Sequence, residues 1–118
     1  MPKKTITENK TKIKVDLPKK DVHAKMEVFY NPRMESNRNI SILLLNAVAN
    51  KAMDVALPLA GSGIRGLRFL QELKKGKIDI IFINDKKEGF VKNFKDNLKL
   101  NQIKTDQIKI FNQDANDF

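Results

Sequence analysis

Three glycines and two aspartates form the strongest chemical signal in this sequence. Gly61, Gly63 and Gly66 complete a G-x-G-x-x-G pattern. Glycines at this spacing allow backbone angles that other residues avoid, and they let the main chain approach a ligand at the N-terminus of a helix. Asp85 offers a carboxylate that can accept hydrogen bonds from both ribose hydroxyls of an adenosine, and Asp114 can accept one from the adenine amino group. Together these residues predict a pocket for an adenosine cofactor.

The same residues also permit simpler roles. Gly61 can merely tighten a turn, and Asp85 can cap a helix that begins at Lys86. NAD and S-adenosylmethionine both bind to such a pattern, and Arg65, next to the glycines, suits either a pyrophosphate or a methionyl carboxylate. The residues alone therefore leave three functions open: an S-adenosylmethionine-dependent enzyme, half of an NAD-dependent oxidoreductase, and a non-catalytic RNA-binding module whose glycines are structural.

The elements around these residues alternate between strand and helix. Apolar runs rich in β-branched residues indicate strands, and apolar residues at three- and four-residue spacings indicate helices. In chain order the pattern predicts a strand over residues 53–57, a helix over 64–73, a strand over 78–83, a helix over 86–100 and a strand over 107–111. This order is typical of a doubly wound parallel α/β sheet, in which the carboxyl ends of the strands share one edge. A ligand is expected at that edge.

An additional helix is expected before the first of these strands. Ser36 or Asn37 can cap it, and its apolar residues recur at helical spacing: Ile40, Leu43, Leu44, Ala47 and Val48. We expect this apolar face to pack against the sheet. A nicotinamide-linked dehydrogenase ordinarily begins with the strand and the glycines instead, so the extra helix favours S-adenosylmethionine over NAD.

The first part of the chain differs from the rest. Residues 1–10 are rich in lysine and are expected to be mobile, whereas residues 11–15 alternate polar and apolar side chains as a half-exposed strand does. Phe29 is either a core residue or a stacking partner for an unpaired base. We therefore divide the chain into residues 1–35, a basic N-terminal arm with a base-pocket segment, and residues 36–118, the N-terminal half of a Rossmann-like domain.

Composition narrows the possible functions further. The 118 residues carry 23 Lys and Arg against 14 Asp and Glu, and the net charge of +9 favours a polyanionic partner such as nucleic acid. With no cysteine and one histidine, His23, thiolate and histidine metal sites are excluded. No apolar run approaches the roughly 18 residues needed to span a bilayer, so we expect a soluble, cytoplasmic protein with no membrane partner.

Four segments of the sequence, taken together, resemble one enzyme family. They are Val28-Phe29-Tyr30-Asn31-Pro32-Arg33-Met34 followed by Asn37-Arg38, then Ala60-Gly61-Ser62-Gly63-Ile64-Arg65-Gly66-Leu67-Arg68, Asn84-Asp85, and Asn112-Gln113-Asp114-Ala115-Asn116. In order and spacing these segments resemble the tRNA (guanine-26-N2)-dimethyltransferases of archaeal type. The resemblance runs from about Val28 to the last residue and is much more specific than the glycines alone.

The resemblance implies a class I S-adenosylmethionine methyltransferase fold, with a Rossmann-like sheet, that binds S-adenosyl-L-methionine. By this likeness, Arg38 and Arg65 hold the methionyl end of the cofactor above the glycine turn. Asp85 holds the ribose, and Asp114 with the backbone of Ala115 holds the adenine. The implied reaction is dimethylation of the exocyclic amine of a guanine in tRNA.

The resemblance also implies a guanine pocket that this sequence supplies only in part. Phe29 would form one wall of it, with tRNA as the substrate. In the family, however, an Asp-Pro-aromatic-Gly motif after the fourth strand supplies the carboxylate at the reacting amine, and this sequence contains no such motif. No catalytic residue is therefore assigned. We expect the cofactor-binding portion of a longer enzyme, completed by its C-terminal portion or by a second chain and inactive alone.

Overall fold

A β-hairpin, three helices and a three-stranded parallel sheet make up the computed structural model, which describes residues 3–16 and 30–118. His23 and Phe29 lie outside the described residues. The pocket role expected of Phe29 therefore stays a prediction, as does the division of the chain between residues 35 and 36.

The hairpin occupies the segment that was expected to be mobile. Strand β1 (Lys3–Glu8) pairs antiparallel with β2 (Thr11–Asp16), and Ile6 lies opposite the fully buried Ile13. The strand predicted at the position of β2 is confirmed. The expectation of a mobile start is wrong for residues 3–10, because the β-branched residues within them give β1 its own ladder and an inward-facing apolar side chain, whereas residues 1 and 2 lie outside the described residues.

The central sheet contains three parallel strands in the predicted chain order. They are β3 (Met53–Leu57), β4 (Ile78–Asn84) and β5 (Ile108–Phe111), and β4 lies between the other two. Ile81 and Ile83 of the central strand are fully buried, as expected of a parallel strand covered on its faces. The carboxyl ends of all three strands therefore lie along one edge, as the sequence pattern predicts.

Three helices alternate with these strands. Helix α1 (Glu35–Ala47) precedes β3, α2 (Ile64–Glu72) connects β3 to β4, and α3 (Phe90–Leu100) connects β4 to β5. A short 3-10 helix, Pro32–Met34, leads directly into α1. In the described part of the chain, none of the helices combines the length and the apolar character that crossing a bilayer requires.

Two helix starts differ from the sequence prediction. Helix α1 begins at Glu35 with no side-chain cap, so Ser36 and Asn37 lie inside it; the preceding 3-10 turn already sets the helical direction. Helix α3 begins at Phe90 instead of residue 86, because Gly89 adopts a left-handed φ of 85° that α-helical residues do not adopt.

The apolar face of α1 does not pack against the sheet, contrary to expectation. Its side chains at Ile40, Leu43 and Leu44 are 63%, 69% and 59% exposed. The helix instead buries Ile42 and Arg38 and packs against α2. The sequence pattern identified an apolar face correctly, but nothing in the described residues covers most of it.

The hairpin packs on the outer side of α2 and α3. Ile13 belongs to the same buried core as the helices, and α3 also bonds to the free edge of β2. The backbone N–H of Lys14 donates to Asn97 Oδ1 at 2.8 Å, and that of Lys12 donates to Asn101 Oδ1 at 2.7 Å. The hairpin is thus tied into the domain by hydrogen bonds from its backbone N–H groups to asparagine side chains as well as by apolar contact.

Candidate cofactor site

A buried asparagine joins the ends of the three strands at the predicted ligand edge. Asn84, with an exposure of 0%, donates from Nδ2 to the carbonyl oxygens of Pro58 at 3.1 Å and Gln113 at 2.8 Å. Its Oδ1 accepts from the backbone N–H of Gln113 at 3.0 Å, and its own carbonyl accepts from the N–H of Ala60 at 2.9 Å. One side chain therefore fixes the segments that follow β3 and β5 relative to β4.

A hydrogen bond joins the glycine turn directly to Asp85. The N–H of Gly61, which has a left-handed φ of 60°, donates to Asp85 Oδ2 at 2.8 Å. The N–H of Lys87 donates to Oδ1 at 3.0 Å. Asp85 therefore does not cap α3. An ionised carboxylate has about four acceptor positions, so each oxygen retains one for a ribose hydroxyl.

The other two glycines of the turn allow α2 to pack closely. A Cβ at Gly63, whose φ is 83°, would collide with the ring of Phe94, and one at Gly66 would come within 2.8 Å of Ile83 Cδ1. Gly63 and Gly66 therefore serve packing beneath the turn, whereas Gly61 faces the carboxylate of Asp85. This division of roles gives the turn its fixed position at the strand edge.

The segment after β5 brings Asp114 and Ala115 to the same edge. Asp114 Oδ1 accepts from the N–H of Asn116 at 2.9 Å, which closes a tight turn, and Oδ2 has no protein donor among the described residues. Asn112 secures this segment to β4, since its Nδ2 donates to the carbonyl oxygens of Asp85 at 2.7 Å and Lys87 at 2.9 Å. The carboxylate of Asp114, to which the resemblance assigns the adenine, is thus held at this edge with one oxygen available as an acceptor.

Arg65 stands in the first turn of α2, directly after the glycines. Its Nη1 donates to Ser41 Oγ at 2.6 Å and its Nη2 to Asn37 Oδ1 at 2.7 Å, both on α1. No carboxylate of the described residues pairs with it. Burial lowers the pKa of Arg65, and the positive charges of Arg38 and Arg68 lower it further. An anion bound here would relieve this repulsion.

Arg38 is buried and already has a carboxylate partner. Its Nε and Nη2 donate to the two oxygens of Glu8 at 2.7 and 2.8 Å, and Nη2 also donates to the carbonyl of Asn31 at 3.1 Å. Its guanidinium lies 5.1 Å from the centre of the Tyr30 ring. The remaining nitrogen, Nη1, has no hydrogen-bond partner among the described residues.

Glu8 links the two helices that carry the arginines. Its buried carboxylate also accepts from Arg68 Nη1 at 2.9 Å and from the Tyr30 hydroxyl at 2.7 Å. Burial alone would raise the pKa of Glu8, but hydrogen bonds from Arg38 and Tyr30 outweigh it and hold the pKa below its ordinary value. Burial and the bond to Glu8 raise the pKa of Tyr30 to about 12. Glu8 therefore stays ionised between two guanidinium groups.

A cavity of about 430 Å³ lies away from the glycine turn. It opens between the hairpin turn and α1, and its lining includes Asn9, Glu35, Asn39 and Arg68. Arg68 connects it to the buried cluster around Glu8, but none of the predicted ligand groups at the strand edge lines it. The candidate site is therefore identified by its convergent polar groups and not by cavity size.

The structure thus brings together Gly61 and Asp85, and it holds Asp114 and Ala115 on the same edge. Sequence reasoning gave no role to Glu8, Asn84 or Asn112. A signal for Glu8 was present, because it follows Ile6 at a spacing of two and therefore lies on the inward face of β1. The cofactor roles assigned to individual residues by resemblance stay predictions.

Comparisons with known proteins agree on one family. The family model described as N2,N2-dimethylguanosine tRNA methyltransferase matches residues 3–118. The tRNA (guanine(26)-N(2))-dimethyltransferase of Methanocaldococcus jannaschii is 42% identical over 110 residues, which are 89% of this chain and 28% of that protein. The enzyme of the same name from Methanococcus maripaludis strain C5 is 40% identical over 121 residues, 96% of this chain and 31% of that protein. The chain thus spans about 30% of the length of these relatives.

Solved structures confirm the fold class. Trm1 from Pyrococcus horikoshii, solved in complex with S-adenosyl-L-methionine, is similar with a TM-score of 0.73 and 33% identity, covering 96% of this chain and 31% of that one. Trm5b from Pyrococcus abyssi has the same TM-score of 0.73 at 18% identity, over 98% of this chain and 29% of that one, and supports the fold alone. The predicted α/β fold, part of a Rossmann-like parallel sheet, is confirmed.

Proposed function

Because the chain belongs to the N2,N2-dimethylguanosine tRNA methyltransferase family, we propose that it is the S-adenosylmethionine-binding portion of a tRNA (guanine-26-N2)-dimethyltransferase. The observation that carries the proposal is the bond between Gly61 N–H and Asp85 Oδ2 at 2.8 Å. It fixes a carboxylate beside the glycine turn, at the edge where doubly wound sheets bind ligands. A cytoplasmic location is part of the same proposal.

The residues at this edge fit the chemistry of the cofactor. Asp85 retains acceptor positions for the two ribose hydroxyls, and Asp114 Oδ2 offers one for the adenine amino group. The guanidinium of Arg65 pairs directly with no carboxylate of the described residues, so it suits the methionyl carboxylate, with which it can form a charge-assisted bond. The bound cofactor would supply an electrophilic methyl group, and these residues would orient it.

Ligand binding to the chain tests this proposal. Calorimetric titration with S-adenosylhomocysteine should show binding that Asp85→Ala weakens by about tenfold or more, because two hydrogen bonds to a charged group are lost. Asp79→Ala removes an exposed carboxylate from β4, the strand that Asp85 follows, and is the matched control, expected to bind as the wild type does. Equal affinities of the wild type and Asp85→Ala would contradict the assignment.

The two rival functions give different results in the same assay. Tighter binding of NADH than of S-adenosylhomocysteine, again lost in Asp85→Ala, would identify half of an NAD-dependent oxidoreductase. A non-catalytic RNA-binding module would bind neither nucleotide, and its salt-sensitive binding of tRNA would be unaffected by Asp85→Ala. The proposed function requires S-adenosylhomocysteine to be the preferred ligand.

A lysine-rich surface supports tRNA as the partner. We name it the hairpin–α3 surface; its exposed lysines are Lys12 and Lys14 of β2 and Lys92, Lys95 and Lys99 of α3. The hydrogen bonds from the β2 backbone to the asparagine side chains of α3 hold the two parts of this surface side by side. Contacts between lysine or arginine side chains and phosphates supply most of the sequence-independent affinity of proteins for nucleic acids. We assign this surface to the tRNA backbone.

The proposal leaves methyl transfer to parts of the enzyme beyond these residues. The amine of guanine needs a positioned acceptor for one of its N–H groups, and no residue in this sequence is assigned to that role. We propose that the rest of the polypeptide, or a second chain, supplies it and covers the exposed face of α1 formed by Ile40, Leu43 and Leu44. The chain alone should therefore bind cofactor without turning over tRNA.

A further inference from the structure

Glu8 on the hairpin is hydrogen bonded to Arg38, one of the two arginines that the resemblance assigns to the methionyl end of the cofactor. Its two oxygens accept hydrogen bonds from one edge of the Arg38 guanidinium, from Nε at 2.7 Å and from Nη2 at 2.8 Å. This arrangement occupies one edge of the planar guanidinium and leaves Nη1 for another acceptor. We propose that Glu8 is a positioning residue that aims Arg38 at the methionyl carboxylate of the cofactor. The proposal rests on the proposed function.

The charges around Glu8 explain why Arg38 needs such a partner. Arg38, Arg65 and Arg68 lie close enough that the first and third lower the pKa of the second. Glu8 is the carboxylate that touches two of the three, Arg38 and Arg68. Without it, Arg38 would be a buried cation with no carboxylate partner among the described residues, and turning towards water would lower its free energy. The hairpin carboxylate therefore holds Arg38 next to Arg65.

The surroundings of Glu8 fix its own orientation. The Tyr30 hydroxyl donates to Oε2 at 2.7 Å, and the ring of the same tyrosine lies under the Arg38 guanidinium at 5.1 Å. The Glu8 side chain has an exposure of 0%. A buried, fully bonded carboxylate of this kind limits its partner to one geometry, which is what a site for a planar carboxylate requires.

The contact between Glu8 and Arg38 gives the hairpin a role in cofactor binding. Glu8 is the last residue of β1, and its partner Arg38 lies on α1, beyond the segment that connects the hairpin to the helix. Cofactor affinity should therefore depend on β1, a strand that supplies none of the residues assigned to the adenosine.

A substitution that preserves charge tests the positioning role. Glu8→Asp keeps the carboxylate but shortens the side chain by one methylene, so it cannot reach both nitrogens of Arg38. Two ligands are titrated: S-adenosylhomocysteine, which carries the amino-acid carboxylate, and 5′-methylthioadenosine, which lacks it. We expect S-adenosylhomocysteine to bind about fivefold or more weakly and 5′-methylthioadenosine to bind within about twofold of the wild type. The second ligand also reports whether the variant is folded.

Two further variants complete the test. Glu72→Asp is the matched control, because Glu72 pairs with Arg68 and not with Arg38, and it should leave both affinities within about twofold. In an Arg38→Gln background, Glu8→Asp should cause no additional loss, since the residue it positions is gone. Additivity of the two substitutions would overturn the proposal.

The remaining outcomes are also decisive. An equal loss of both ligands in Glu8→Asp would show a structural role only, and an unchanged or increased affinity for S-adenosylhomocysteine would show that Glu8 does not aim Arg38 at the carboxylate. Failure of the wild type to bind either ligand would contradict the proposed function itself, and the inference would fall with it.

Discussion

Asn84 and Gln113 exchange two hydrogen bonds across the carboxyl edge of the sheet. The Asn84 amide donates to the Gln113 carbonyl at 2.8 Å, and the Gln113 N–H donates back to Asn84 Oδ1 at 3.0 Å. The same amide also reaches the carbonyl of Pro58. The relative positions of the glycine turn and the Asp114 segment therefore depend on one buried side chain.

Replacement of Asn84 should lower both stability and cofactor affinity. Asn84→Ala removes a fully buried amide together with its three hydrogen bonds to Pro58 and Gln113, and we expect unfolding to become easier by about 2–4 kcal/mol. Urea denaturation measures the change, with the exposed Asn50→Ala as control. A destabilisation no larger than that of the control would show that Asn84 is dispensable.

A second prediction concerns the close approach of Gly63 and Phe94. Gly63→Ala should cost about 2 kcal/mol or more in unfolding free energy, because it combines a left-handed φ of 83° with a collision against the Phe94 ring. Gly76→Ala is the matched control: its φ of 85° is nearly the same, but a Cβ there meets no atom within 4 Å. The difference between the two variants isolates the collision with the ring, and equal destabilisation of the two would refute it.

Acid should destabilise the chain through Glu8. Its folded-state pKa lies below the ordinary value of 4.5, since hydrogen bonds from Arg38 and Tyr30 outweigh its burial. The unfolded chain therefore binds the proton more readily, so this stabilisation is complete above about pH 4.5 and is lost as the pH falls through the folded-state pKa. Denaturation followed from pH 6 to pH 3 should show a weaker pH dependence in Glu8→Gln than in the wild type. Glu88→Gln, an exposed site with the same chemical change, is the control.

The hairpin–α3 surface should contribute to RNA binding in a salt-dependent manner. Lys12→Gln combined with Lys14→Gln should reduce the slope of log K against log salt concentration by about one for each phosphate that these lysines neutralise. Lys51→Gln combined with Lys74→Gln changes the net charge equally at exposed positions elsewhere. Fluorescence anisotropy with tRNA distinguishes the pairs. Identical slopes for the two double variants would mean that tRNA binding depends on net charge and not on the position of the lysines.

Much of this fold could be predicted because its signals are local. Branched apolar runs marked β3 and β4, and the glycine pattern placed a turn between β3 and α2. That Gly61 and Asp85 would lie at the same edge of the sheet followed from the rule that parallel strands end at a common edge, although the hydrogen bond between them did not. These inferences needed only the spacing of neighbouring residues.

The features that the sequence did not reveal depend on interactions between distant residues. Glu8 and Arg38 are 30 positions apart, and no periodicity connects a hairpin to a helix across such a separation. The start of the chain looked mobile because its lysines dominate the composition, although its alternating Ile6 and Glu8 face inward. The exposed face of α1 was assigned to the sheet because periodicity shows that a face is apolar and does not show what covers it.

The two asparagines along α3 have a further consequence. Asn97 and Asn101, one helical turn apart, accept the backbone N–H groups of Lys14 and Lys12 that point away from β1. A helix thereby occupies the place where a third strand from another molecule would add, which blocks edge-to-edge aggregation of the hairpin. The amide protons of Lys12 and Lys14 should consequently exchange slowly with deuterium, although a helix and not a strand of the described residues lies on that side of β2.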